Sequence, residues 1–136
     1  MRRIMAVDPG REKCGLAVVE HGGAVVFRTI VHVDRLVDTV AQVIRQLEPE
    51  AVVLGNRTGS GDAARRLAEL PEVRALGGVR VVDESFTSLE ARRRYFQAHP
   101  ARGLWRFVPV GLRLPPEPVD DWAAVVLAER YLKGPG

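Results

Sequence analysis

At three places in this chain apolar residues give way to carboxylates. Ile4-Met5-Ala6-Val7 stops at Asp8 and turns through Pro9-Gly10. Val79-Arg80-Val81-Val82 runs into Asp83-Glu84, and Val119 leads into Asp120-Asp121 ahead of a long apolar stretch. Carboxylates brought within about 4 Å repel by roughly 4 kcal/mol per pair at an effective dielectric near 20, and such a cluster takes up a proton or a cation. Carboxylate oxygens suit Mg²⁺ or Mn²⁺ better than Zn²⁺. Two such ions about 3.5–4 Å apart can activate water and steady the leaving oxygen of an in-line phosphoryl displacement. The chemistry in prospect is scission of a nucleic-acid backbone, with Asp8, Glu84 and Asp120 as the acids. Each acid also has a plainer reading. Asp-Pro-Gly is a common turn composition, Asp83-Glu84 suits a strand end entering a solvated loop, and Asp120 and Asp121 suit a helix N-cap and first turn. The functional case needs all three to converge.

The elements that must bring them together are legible in the pattern. Arg3 to Val7 reads as a short buried strand. Cys14 to Glu20 is a second, His21-Gly22-Gly23 a tight turn, and Ala24 to Val31 a third, so the first three strands form an antiparallel meander. Asp34 to Leu47 is helical, with Leu36, Val37, Val40, Ile44 and Leu47 on one face and Pro49 ending it. Ala51 to Leu54 has no alternation, as expected of a central strand covered on both faces. A polar loop, Gly55 to Gly61, precedes a helix from Asp62, its N-cap, to Leu70, stopped by Pro71. Val79 to Val82 is the fifth strand. Thr87-Ser88-Leu89-Glu90 has the capping-box pattern and opens a helix to about Gln97. A long Pro-, Gly- and Arg-rich connection from His99 to Pro118 follows, of a length usually reserved for function. A nearly all-apolar helix then runs from Asp120 to about Leu132. A meander continuing into βα units implies an α/β fold: a mixed five-stranded sheet with helices on both faces, whose strand ends gather the site.

At 136 residues, with 46% hydrophobic and 27% charged residues, the chain reads as one globular domain spanning 1–136. No apolar run approaches a membrane span of roughly 18 residues or a secretory signal, so a cytoplasmic location is expected. Cys14 is the only cysteine, which excludes an internal disulfide or a zinc cluster and reads as a small buried hydrophobe. The net charge is +3 and the pI about 9.6. From Ala91 to Pro116 there is no acid, while Arg92, Arg93, Arg94, Arg102, Arg106 and Arg113 alternate with Tyr95, Phe96, Trp105 and Phe107. Such a window reads either as a solvated helix face and loop or as a surface that tracks a phosphate backbone and stacks bases.

The run from Ala6 to Val18, AVDPGREKCGLAV, resembles the opening motif of the YqgF/RuvX family of Holliday-junction-resolvase-like nucleases, which have the RNase H-like fold. Val82 to Ala91, VDESFTSLEA, resembles that family's second motif, and Val119 to Leu127, VDDWAAVVL, its C-terminal one. The three occur in the family's order along nearly the whole chain. The resemblance implies a Mg²⁺- or Mn²⁺-dependent nuclease with Asp8, Glu84 and Asp120 as its acidic triad and Asp121 as a possible fourth ligand. It also implies a part in maturation of the 5′ end of pre-16S ribosomal RNA, with the ribosomal subunit as a partner. Ser85 stands where the family often has a basic residue, and Thr87-Ser88 where it has a Thr pair; both bear on substrate grip.

Around the acids, Arg11, Lys13, Asn56, Arg57, Thr58, Thr87, Arg92 and Arg93 are the candidates for holding phosphates, each against the plainer reading of a solvated cation, a turn or a helix cap. Three functions compete. One is a nuclease of structured RNA. Another is a resolvase of branched DNA, which must cut two strands symmetrically and so needs a dimer; no dimer seam is legible. The last is a non-catalytic nucleic-acid-binding module, which gains nothing from acids that repel its ligand.

Overall fold

The first strand is buried from end to end because both of its faces are apolar. In the computed structural model, which describes residues 2–56, 60–82, 87–98 and 120–133, with the backbone alone at 60, 87–90, 92, 94, 120, 121 and 133, β1 spans Arg3–Asp8. Side chains alternate across a strand. Ile4 and Ala6 therefore face one layer and Met5 and Val7 the other, all with no exposure. Around it lie β2 (Lys13–Glu20), β3 (Val25–His32), β4 (Ala51–Gly55) and β5 (Val79–Val82), in the order β3-β2-β1-β4-β5. The meander β1-β2-β3 is antiparallel, and β4 and β5 run parallel to β1. The expected mixed five-stranded sheet is present.

One face is covered by α1 (Leu36–Leu47), α2 (Ser60–Ala68) and α3 (Pro71–Ala75), which pack Leu36, Val40, Ile44, Leu67 and Val73 against Met5, Val7, Leu16 and Leu54. On the other, α4 (Thr87–Ala98) and α5 (Asp120–Lys133) set Ala91, Tyr95 and the Trp122–Ala128 stretch against Ile4, Ala6, Ala17 and Val53. Among the described residues no helix is long and apolar enough to cross a membrane.

The position of α5 follows from a row of residues that the register lines up across the sheet: Arg28, Ala17, Ala6, Val53 and Arg80. The two alanines leave room for a helix to lie close. Arg28 on edge strand β3 stacks its guanidinium 4.3 Å from the centre of the Trp122 ring, and Arg80 on edge strand β5 sits 5.6 Å from the Tyr131 ring and hydrogen-bonds its hydroxyl. From Trp122 to Tyr131 the helix advances about 14 Å, while four strand spacings span about 19 Å. The long arginine arms cover the difference, and each cation–π contact adds to the hold. The last helix thus crosses the strands above Ala6, two residues before Asp8.

Four expectations need correction. A 3₁₀ turn, Val33–Arg35, precedes α1, which starts at Leu36 rather than Asp34, because the His32 ring accepts from the Asp34 amide (3.3 Å) and caps the turn. Asp62 is not the N-cap of its helix: α2 begins at Ser60, and Asp62 lies in the first turn, paired with Arg65 (3.0 Å) and Arg66 (3.2 Å). Pro71 is not only a stop. It opens α3, where a missing N–H costs nothing and the fixed φ favours a helix start. The aromatics of α4 are not stacking platforms either: Tyr95 is buried and Phe96 is half-buried against the core, because Ala91 and Tyr95 share the stripe facing α5.

Replacing Ala6 by leucine should push α5 off the row and cost about 1–3 kcal/mol, read as a lower urea midpoint at unchanged slope.

Candidate active site

Asp8 is the last residue of β1 and is 2% exposed, the one buried charged side chain among the described residues. It shares the α5-facing side of the sheet with Ile4 and Ala6. The local sequence ends the strand at that point. Pro9 has no N–H to continue a ladder, and a Cβ at Gly10 would collide with the carbonyl oxygen of Lys13. The chain therefore folds back at once into β2, and the Glu12 carbonyl accepts from the amide of Val33, at the start of the 3₁₀ turn after β3, at 2.7 Å. A short, fixed loop holds the carboxylate at the sheet's edge.

The register shows what flanks it. Asp8 pairs with Gly15 on β2, and the β1–β4 register, continued one residue beyond Val7 and Leu54, sets it level with Gly55. Neither neighbouring strand places a side chain beside the carboxylate. Gly55 in turn pairs with Val82, the last residue of β5. Asp8 and the end of β5 therefore lie in one row at one edge, two strand spacings or about 10 Å apart. In sequence Asp83 and Glu84 come next; both lie outside the described residues. Asp120 opens α5, whose start offers free N–H groups and partial positive charge. The side chains of Asp120 and Asp121 lie outside the described residues as well. No group of three metal-ligating side chains assembles among the residues described.

The other candidates divide. Asn56 follows β4 directly and is exposed at the edge that carries Asp8, while Arg57 and Thr58 lie outside the described residues. Arg11 and Lys13 are exposed on the loop after Asp8 and at the first residue of β2. Thr87 begins α4, but its side chain, like that of Arg92, is outside the described residues; Arg93 is exposed on α4. Gly15 and Gly55 went unnoticed in the sequence, as did Arg28 and Arg80. A strand pattern read one strand at a time carries no cross-strand register, so nothing marked the two glycines as neighbours of an acid.

Solved structures with the same arrangement of strands and helices define the class. Thermus thermophilus RuvC in complex with Holliday junction substrate superposes with a TM-score of 0.59 over 94% of this chain and 90% of that one, at 19% identity. Thermus thermophilus RuvC in a second structure gives 0.58 over 93% and 90%, at 18% identity. The fold is that of RuvC, RNase H-like. A family model described as RuvX, Holliday junction resolvase, matches residues 2–134, and the chain belongs to that family. No curated protein matches it.

A Gly10→Ala variant should lose about 1–3 kcal/mol, because the methyl group meets backbone rather than a side chain that can swing away. Thermal unfolding of the pair checks this.

Proposed function

We propose that the chain is a metal-dependent nuclease of structured nucleic acid, with Asp8, Glu84 and Asp120 as its acids and maturation of the 5′ end of pre-16S ribosomal RNA as its task. The observation that carries the chemistry is the burial of Asp8 between two glycines at the edge where β5 also ends. A carboxylate taken out of water is costly unless charge compensates it. Its oxygens fit Mg²⁺ or Mn²⁺, with Glu84, Asp120 and Asp121 as the further ligands. A bound divalent ion there supplies charge to the phosphate and lowers the pKa of an attacking water. Asp8 fixes the position of that charge from a rigid strand end, so little reorganisation is needed at reaction. Gly15 and Gly55 place no side chain beside the carboxylate. Asn56 donates to the backbone from the same edge, and Arg11, Lys13, Arg57, Thr58, Thr87, Arg92 and Arg93 grip phosphates further along.

The family's description as a Holliday junction resolvase favours a second reading, with a branched DNA as substrate. That reading requires two active sites in a dimer.

Incubated with Mg²⁺ or Mn²⁺, the wild-type protein should cut a labelled ribosomal RNA precursor 5′ leader, and Asp8→Asn should lose the activity by more than about a hundredfold, since even an outer-shell partner costs up to that much. Unchanged cutting by Asp8→Asn would overturn the assignment; paired, symmetric nicks in a four-way DNA junction instead would establish the resolvase reading. Independently of activity, Mn²⁺ at a hundred times its Kd should stabilise the wild-type chain by about 2.7 kcal/mol. Calorimetric unfolding should show a shift of several degrees in the wild-type chain and none in Asp8→Asn.

A further inference from the structure

On the opposite face of the sheet from the Asp8 carboxylate, a cavity of about 150 Å³ opens behind the loop that leaves β1. Its floor is the Cys14 thiol and Leu36, exposed to 1% and 2%, and its sides include Val37 and Ala63. Arg11, Arg66 and Asp62 stand at its rim, all exposed. Asp62 is held in place by Arg65 and Arg66. This chemistry is different from that of the acidic edge: an aliphatic slot, two guanidiniums and one oriented acceptor.

We propose that this cavity receives an unpaired pyrimidine base of the nucleic acid, on the reading that the chain binds nucleic acid along the Asp8 edge. An apolar cavity of about this volume accommodates one aromatic ring, so a single six-membered base fits better than a purine. The aliphatic walls take its faces. The guanidiniums of Arg11 and Arg66 suit the flanking phosphates or stack on the ring. Asp62 accepts from an exocyclic amine, the contact that reads cytosine. Arg11 connects the two sites, because its loop begins at Asp8 and lines the cavity. A strand whose phosphates lie at the acidic edge thus needs to turn only around this loop to set a base in the slot. Unpaired bases cost least to extrude, so the cavity favours branch points and single-stranded ends over continuous duplex.

The test uses a DNA hairpin and an RNA hairpin of the same sequence, each with an ordinary cytosine beside the fluorescent reporter 2-aminopurine in a single-stranded overhang and a dye at the far end for anisotropy. Asp8→Asn protein prevents cutting. Binding should brighten the 2-aminopurine about twofold or more as the neighbouring cytosine leaves the stack and enters the slot. Val37→Trp, which fills the slot, should abolish the brightening and weaken overhang binding about tenfold, within the range for losing one stacked base, while leaving the affinity for blunt duplex unchanged. Arg66→Ser, at the exposed rim, should weaken overhang binding in the same direction without touching the core. Brightening in the DNA hairpin, the RNA hairpin or both identifies which strand the slot accepts. Equal brightening in wild-type and Val37→Trp backgrounds, or tight binding with none, overturns the cavity and leaves the nuclease reading standing. Absence of binding to either hairpin overturns both.

Discussion

The structure depends on one awkward placement: a carboxylate at the end of a strand that is otherwise entirely apolar. Five residues of β1 are fully or nearly fully removed from water, and the fifth of them is Asp8. The hydrophobic layers on both faces exist to bury Ile4 to Val7, and burying those residues carries Asp8 inside with them. Burying a charge opposes folding, so a sequence selected for stability alone would place an apolar or neutral side chain there. The rest of the architecture supports that exception. Two alanines lower the sheet surface so that α5 can cross close by, arginines on both edge strands hold its ends, and the loop at Gly10 allows no slack.

The same placement divides the molecule's two faces by chemistry. On the α5 side, glycines flank a carboxylate at the row where β5 also ends. On the α1 side, the loop that fixes Asp8 also walls a cavity with an apolar floor and a cationic rim. The four residues between β1 and β2 separate a face that carries a buried carboxylate from a face that carries an apolar slot with a cationic rim.

Much of this was legible in the sequence. The meander, the central strand at Ala51, the fifth strand and the last helix follow from apolar runs and turn residues, which are local signals. Of the acids read at element ends, Asp8 lies at the strand end where the pattern put it, while Glu84 and the side chain of Asp120 lie outside the described residues. What was not legible is relational. The third helix escaped because Pro71 signals both a stop and a start. Tyr95 looked like a surface aromatic because its arginine neighbours are hydrophilic, although its spacing from Ala91 places it in the core. Gly15 and Gly55 are forty residues apart in sequence, and only the register of β1 against two neighbours sets them on either side of Asp8. The clamp of Arg28 and Arg80 on α5 likewise joins residues from the two outer strands with rings near opposite ends of one helix.

The crossing of α5 over β1 has a consequence for how the protein comes into being. The residues around Asp8 are synthesised more than a hundred residues before the helix that packs over them. Such a closure is a high-contact-order event, slow because a long loop must be ordered before its contacts reward it. Until it happens, the meander of β1 to β3 exposes an apolar face. The surroundings of Asp8 are therefore completed only once α5 has been made and has docked on the sheet.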